Sequence, residues 1–180
     1  MTLRVRRESD FAPVLKLRKI RINIEQQILE LLDDDHLLRS YPVSSAKNGV
    51  GEQPGSLCTP RGRHLIRAKI GTGQPVNTVF SGRRPTGEIY TPELAQLFPE
   101  RDWILSRILW LSGCEPGFNR LGAVDTMRRY IYIHGTADES AIGCPVSHGC
   151  VRMRNQDIIE LFELVSAGTP VEIVDGDNAQ

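Results

Sequence analysis

Residues 129–136 read Arg-Tyr-Ile-Tyr-Ile-His-Gly-Thr, and residues 147–153 read Ser-His-Gly-Cys-Val-Arg-Met. In the first stretch polar and apolar positions alternate over residues 129–133, which predicts a strand that delivers His134 at its end. Catalytic groups are common where a rigid element meets a loop. We therefore expect a fold in which this strand end and the turn that holds Cys150 come together.

The residue types in these two stretches are those of cysteine nucleophilic catalysis. Cys150 is the candidate nucleophile, because a thiol beside an imidazole is the minimum apparatus for that chemistry. His134 is favoured as the base over His148, which is so close to the cysteine in sequence that the two side chains would meet in poor geometry. Gly135 and Gly149 let the backbone approach a substrate closely.

Two further side chains extend the candidate site. Arg152 presents a planar fork that could hold a substrate carboxylate, with a surface ion pair as the alternative. Cys144 is expected to line a pocket or to form a reversible disulfide with Cys150. Two thiols and two imidazoles also suffice for zinc, but their spacing departs from Cys-x-x-Cys, so no metal and no cofactor are expected.

Most of the remaining chain has β patterning. We expect a helix after the cysteine, N-capped by Asn155 and closed by Gly168. Residues 81–101 are expected to form an irregular insert, with one or two helical turns at 92–98, that builds a lid or pocket wall. A helix over residues 24–32 competes with the strand assignment there. The expected strands cover residues 20–24, 28–32, 37–43, 64–70, 104–111 and 171–174.

Composition limits the partners of the chain. Twenty-two basic residues balance 22 acidic ones in 180 residues, so no overall field attracts nucleic acid or an anionic membrane. We expect a basic N-terminal arm over residues 1–18, one catalytic domain over 19–175, a polar tail over 176–180, and a monomer.

The N-terminal residues contain no apolar segment typical of a secretory signal, and no run is long enough to cross a membrane. The sequence therefore predicts a cytoplasmic protein, or a periplasmic one if the start is truncated. The four cysteines are expected to be thiols.

Six motifs follow one another along the chain. They are Tyr41-Pro42-Val43-Ser44, Thr59-Pro60-Arg61-Gly62, His134-Gly135-Thr136, Ile142-Gly143, Ser147 to Met153 and Gly168 to Ile173. In this order they resemble the L,D-transpeptidase catalytic domain, the YkuD family, and its short leaderless proteobacterial members. The resemblance runs from about residue 18 to residue 174, and the ordered combination is highly specific. The family often has Asn two residues after the cysteine, where this chain has Arg152, a variant that many members share.

The resemblance implies a mainly β fold, a sandwich or barrel with a small α component. It also implies that Cys150 attacks the third residue of a peptidoglycan stem tetrapeptide and that D-alanine leaves. His134 would be the general base and acid, oriented by the Gly135 carbonyl. Substrate and oxyanion contacts would come from the segment Ser147, His148, Gly149, Cys150 and from Arg152.

The acceptor of the acyl group stays open at this point. An amine of a second stem would give cross-linking or lipoprotein attachment, and water would give L,D-carboxypeptidase activity. The missing leader favours water and the recycling of muropeptides inside the cell. A non-catalytic peptidoglycan- or zinc-binding module is the alternative function.

Overall fold

The computed structural model describes residues 18–176, which form one ten-stranded mixed sheet with two helices. The mainly β prediction is confirmed. Residues 1–17 of the predicted arm and 177–180 of the predicted tail lie outside the described residues. The strands are β1 (Arg18–Asn23), β2 (Ile28–Asp33), β3 (His36–Pro42), β4 (Gly62–Ile70), β5 (Thr78–Ser81), β6 (Arg84–Ile89), β7 (Ile104–Gly113), β8 (Tyr132–Gly135), β9 (Val151–Met153) and β10 (Pro170–Val174), and the helices are α1 (Pro92–Leu97) and α2 (Asn155–Leu164).

The first three strands form the antiparallel meander that their alternation predicts, in the order β3-β2-β1. Ile20 and Ile22 point into the core, while Lys19 and Arg21 between and before them are only partly buried. The helix considered for residues 24–32 is wrong, since Gln27 turns the chain with a φ of 53° and β2 follows directly. Arg18 belongs to β1 rather than to a separate arm.

The centre of the sheet follows in the order β1-β10-β4-β7, and β7 also pairs with β5 and with β8. β10 runs parallel to β1, and β8 runs parallel to β9. The main core lies between these strands and α2, whose Ile158, Leu161 and Phe162 are buried. This arrangement holds β8 and β9 against a packed layer on one face.

Helix α2 starts one residue earlier than its predicted cap implies. Asn155 is its first helical residue, and the N-cap position belongs to Arg154, which makes no side-chain capping bond. The Glu139 carboxylate accepts the Asn155 backbone N–H instead, at 2.8 Å. At the other end Lys69 Nζ donates to the carbonyls of Phe162 and Val165, so both ends are satisfied by distant side chains.

The expected irregular insert over residues 81–101 is only partly irregular. Its first half pairs with β5 as a hairpin, and Pro85 sits opposite Phe80 in an exposed outer strand. The sequence pattern did not reveal this strand for two reasons. No face of the strand is buried, so its residues do not alternate in polarity. It also contains a proline, which sheets tolerate only at their edges. The predicted helical stretch is present as α1, capped by Thr91.

The strand that carries His134 is shifted along the chain relative to the prediction for residues 129–133. Asp125 accepts the backbone N–H groups of Leu121 and Arg128, which holds the preceding residues in turns. Tyr130 has a φ of 57°, so extended pairing begins only at Tyr132. His134 therefore lies inside β8 rather than beyond its end.

No helix within residues 18–176 has the length and apolar content that crossing a membrane requires.

Candidate active site

The register of β8 and β9 brings the predicted catalytic residues to one face. Ile133 pairs with Val151 and His134 with Arg152, and the first of these pairs is buried in the main core. Because side chains alternate along a strand, His134 and Arg152 face the opposite side. Cys150, one residue before β9, shares that side and packs against a small cluster of Phe80, Ile108 and Tyr132.

The Cys150 thiol lies against the backbone of β8. Its Sγ accepts the Tyr132 N–H at 3.3 Å and lies 3.5 Å from the Tyr130 carbonyl oxygen. Within residues 18–176 no hydrogen bond joins Sγ to His134. Protein atoms crowd the sulfur although the residue keeps some exposure, and burial raises the pKa of the Cys150 thiol to about 12.

His134 is buried and its ring is held from one side. Its Nδ1 lies 2.7 Å from the Gly135 carbonyl oxygen. A carbonyl can only accept, so Nδ1 carries the proton and Nε2 is left as a base. Burial lowers the pKa of His134 to about 4. Together the two shifts favour a neutral thiol and a neutral imidazole in the resting site.

The turn before the cysteine is fixed by its own hydroxyl. Ser147 is buried, and its Oγ donates to the Cys150 carbonyl at 2.5 Å and accepts the Gly149 N–H at 3.2 Å. The Ser147 hydroxyl is thus used inside the turn, and its contact with substrate or oxyanion stays a prediction. Gly149 has a φ of 131°, a conformation that L side chains rarely adopt.

Thr59 is a site residue whose role the sequence did not reveal. Its buried hydroxyl donates to the Gly149 carbonyl at 3.0 Å and accepts the Ala46 N–H at 3.0 Å. The motif of residues 59–62 marked its position, but the contact joins segments ninety residues apart. Thr59 therefore supports the catalytic turn from the neighbouring loop.

His148 is exposed and lies between two cavities. One, of about 310 Å³, we call the Arg152 cavity, and the other, of about 250 Å³, we call the Arg129 cavity. The first is lined by residues 99–103, 136–138, His148 and Arg152, and the second by Pro54, Gly55, Leu57, residues 128–131 and His148.

Both cavities present an arginine near the sulfur. Arg152 donates from Nη2 to Asp102 at 3.1 Å, while its buried Nε has no partner among residues 18–176. The ion pair that the sequence left as an alternative is thus present. Arg129, which the sequence did not single out, is held by the carbonyls of Gly51 and Cys58. Both positive charges oppose the effect of burial on the pKa of the thiol.

The other cysteines are described by their exposure and by their contacts. Cys144 is exposed, and its carbonyl accepts the Ser44 hydroxyl at 2.6 Å. All four cysteines are free thiols. In the described part of the chain, no group of three or more His, Cys, Asp or Glu side chains is placed to hold a metal ion.

Comparison with known proteins identifies relatives of this domain. The YkuD family model, described as the L,D-transpeptidase catalytic domain, matches residues 17–173. The Probable L,D-transpeptidase YbiS of Escherichia coli K12 is 55% identical over 161 residues, covering 86% of this chain and 49% of YbiS. The chain thus spans about half the length of that relative.

Solved structures share the fold at low sequence identity. L,D-transpeptidase 3 of Mycobacterium tuberculosis, solved with a faropenem-derived adduct, aligns with a TM-score of 0.56 and 16% identity, covering 89% of this chain and 61% of that one. The L,D-transpeptidase LdtMt1 in complex with imipenem gives 0.54 and 18%, covering 88% and 59%. These neighbours support the fold, independently of the sequence motifs.

Proposed function

Because this chain belongs to the L,D-transpeptidase catalytic-domain family, YkuD, whose members act on peptidoglycan peptides, we propose that it transfers an acyl group from a stem tetrapeptide through a Cys150 thioester. The bond cleaved would join diaminopimelate, at its L-centre, to D-alanine.

One observation carries the proposal most directly. Cys150 and His134 share one face of adjacent parallel strands, and the Gly135 carbonyl leaves His134 Nε2 as the proton acceptor. A nucleophile, a base and a group that orients the base are the three parts that activated-nucleophile catalysis requires. The present separation of Sγ from the ring is compatible with this, since catalytic hydrogen bonds often form only in the substrate complex.

The reaction would proceed in two halves. The Cys150 sulfur attacks the substrate carbonyl carbon while its proton passes to His134 Nε2. The tetrahedral intermediate collapses, D-alanine leaves with that proton on its amine, and a thioester remains. An amine or a water then attacks the thioester, gives its proton to His134, and releases the sulfur, which recovers the proton.

The raised pKa of the thiol and the lowered pKa of the imidazole fit concerted transfer better than a standing ion pair. In a resting ion pair the thiolate would be more abundant but less nucleophilic. With both groups neutral, the thiol proton passes to His134 only when a substrate carbonyl is present for the sulfur to attack.

The backbone of the catalytic turn would hold the oxyanion. The N–H groups of Gly149 and Cys150 are the proposed donors, each worth about 3 kcal/mol of barrier reduction if correctly placed. The Gly149 N–H is bonded to Ser147 Oγ at rest, so a small movement of the turn accompanies its use. Thr59 limits that movement by holding the Gly149 carbonyl.

The two arginines suit a substrate that is rich in carboxylates. Arg152 lines one cavity, and Arg129 places a second positive charge in the other. We propose that Arg152 binds the terminal carboxylate of the leaving D-alanine, displacing Asp102. Arg152→Ala should then lower kcat/KM for stems with a free carboxylate more than for amidated stems, and equal losses would contradict this role.

The acceptor is decided by product analysis. We incubate the purified protein with a disaccharide tetrapeptide, alone and with a second amine donor. Release of D-alanine without dimer indicates water as the acceptor, and accumulation of a cross-linked dimer indicates an amine. Failure to release D-alanine in either reaction would contradict the proposed cleavage. The cellular compartment stays a prediction.

A further inference from the structure

A polar cluster, buried at two of its three residues and exposed at Glu139, packs against Gly135 and Thr136, the two residues that follow His134. It consists of Ser106, Asn155 and Glu139, and we call it the Asn155 cluster. Ser106 is fully buried and Asn155 is 7% exposed. The cluster joins β7, the start of α2 and the short turn at residues 139–141.

Every hydrogen-bonding atom of the Asn155 amide has a partner. Nδ2 donates to the Thr136 carbonyl and to the Glu139 carboxylate, each at 2.8 Å. Oδ1 accepts the Ser106 hydroxyl at 2.6 Å. A flipped amide would set its oxygen against two acceptors, so the partners fix a single orientation.

Ser106 is held in place for this contact. It lies where the pairing of β7 with β8 shifts register, between Leu105 and Ile108. Its φ of 67° is uncommon for a non-glycine residue and marks local strain. The same hydroxyl also accepts the Asn77 N–H at 2.9 Å, so both its donor and acceptor functions are used.

The cluster holds the chain on either side of the Gly135–Thr136 peptide, whose carbonyl orients His134. Beyond that peptide, Asn155 Nδ2 holds the carbonyl of Thr136. Before it, Asn155 Oδ1 packs so tightly on Gly135 that a Cβ there would overlap it, and the same Cβ would lie 2.7 Å from the Leu105 carbonyl. Two oxygens thus fill the space that a side chain at Gly135 would occupy, and the Gly135 carbonyl accepts the His134 Nδ1–H.

From these contacts we propose that Asn155 and Ser106 are positioning residues that fix the His134 tautomer by holding the chain on either side of the Gly135–Thr136 peptide, at the Gly135 Cα and at the Thr136 carbonyl. This rests on the proposed roles of His134 and Cys150. Neither residue reaches the thiol. Their effect passes through the Gly135 carbonyl, which selects the Nδ1–H form and so keeps Nε2 unprotonated for the thiol proton. Glu139 supports the cluster by accepting both the side-chain and backbone N–H groups of Asn155.

A set of variants distinguishes an effect on the His134 tautomer from a general loss of folding stability. Asn155→Ala removes all three side-chain bonds, and Asn155→Asp places a carboxylate against the Thr136 carbonyl and Glu139. Ser106→Ala and Ser106→Gly both remove the hydroxyl, but glycine also relieves the positive φ. Asn119→Ala is the matched control, since Asn119 is a fully buried asparagine whose amide bonds to Arg61, Arg63 and Glu115, away from His134.

Two measurements are made on wild type and on each variant, with Cys150→Ala as the blank for acylation. The first is the rate of Cys150 acylation by imipenem per folded molecule, followed by intact mass. The second is the ¹⁵N spectrum of the histidine rings near neutral pH, which distinguishes the two imidazole tautomers, with His134 assigned from His134→Gln. The ring spectrum does not depend on turnover.

We expect wild type to show a single Nδ1–H form of His134, and Asn155→Ala and Asn155→Asp to show a mixture. Acylation by these two variants should fall about 10- to 100-fold, the loss that removing an outer partner causes at metal-bound histidines, which are oriented in the same way. Both Ser106 variants should lose activity by a similar, smaller factor. Asn119→Ala should lose stability and keep both the acylation rate and the tautomer.

The inference is overturned if Asn155→Ala keeps the single tautomer, or if Asn119→Ala loses as much acylation as Asn155→Ala. If Asn155→Ala does not fold, retention of the wild-type tautomer in both Ser106 variants overturns it equally. If wild type itself is not acylated, the proposed function fails, and the ring spectra still decide the positioning role.

Discussion

Lowering the pH from 7 to 5.5 should leave the acylation rate of Cys150 almost unchanged. Burial lowers the pKa of His134 to about 4, and the base must be neutral to accept the thiol proton. With that pKa about 97% of His134 is neutral at pH 5.5, whereas an imidazole with the ordinary value of about 6.5 would be only about 9% neutral. The two cases differ roughly tenfold in rate at this single pH.

The assay is the initial second-order rate of imipenem adduct formation across pH 4 to 8, since kcat/KM-type rates report the ionisation of the free enzyme. An NMR titration of the His134 ring in Cys150→Ala removes coupling to the thiol. We expect the acid limb near pH 4 in both experiments. A limb near pH 6.5 in both would refute the conclusion that a buried, neutral imidazole is the resting base.

Three other perturbations test the supporting structure. Burial lowers the pKa of His64 to about 4, so the contribution of His64 to the free energy of unfolding should be fully present above pH 6.5 and fall by about 3 kcal/mol as the pH drops towards 4; urea titrations should show wild type losing about 3 kcal/mol more than His64→Gln over this range, and an equal pH dependence in both would contradict it. Thr59→Val leaves the Gly149 carbonyl and Ala46 N–H without partners, so urea titration should show a loss of about 1–3 kcal/mol together with slower imipenem acylation, while Thr59→Ser should retain most of both. Phe162→Ala should cost about 3–5 kcal/mol in the same assay because Phe162 is 1% exposed in the main core, and a loss no larger than that of the exposed Phe98→Ala would contradict this.

The sequence predicts those parts of the fold in which a local pattern coincides with a buried face. The alternation of apolar Ile20 and Ile22 with polar residues is visible in the sequence because the two isoleucines share the buried side of β1. β6 has no buried face, so nothing in its pattern distinguishes it from a loop. The end of a strand is equally hard to predict where a single carboxylate, such as that of Asp125, holds the preceding residues in turns.

The sequence singled out the candidate catalytic residues because their residue types are rare together and their motif is local. Their supports were not, because each contact joins distant segments. Thr59 meets Gly149 across ninety positions, and Ser106 meets Asn155 across 49. Asn155 was predicted as a helix cap, since asparagine before an apolar helical pattern usually is one. Only the fold shows that its amide turns towards Gly135 instead.

The central claim is that Cys150 forms the covalent intermediate with His134 as its base. The most direct measurement is the intact mass of wild type, Cys150→Ala and His134→Gln after exposure to imipenem at pH 7. We expect one stoichiometric adduct on wild type, located at Cys150 by peptide mapping, none on Cys150→Ala, and a strongly slowed adduct on His134→Gln. An adduct of undiminished yield on Cys150→Ala, or no adduct on wild type, would contradict the account.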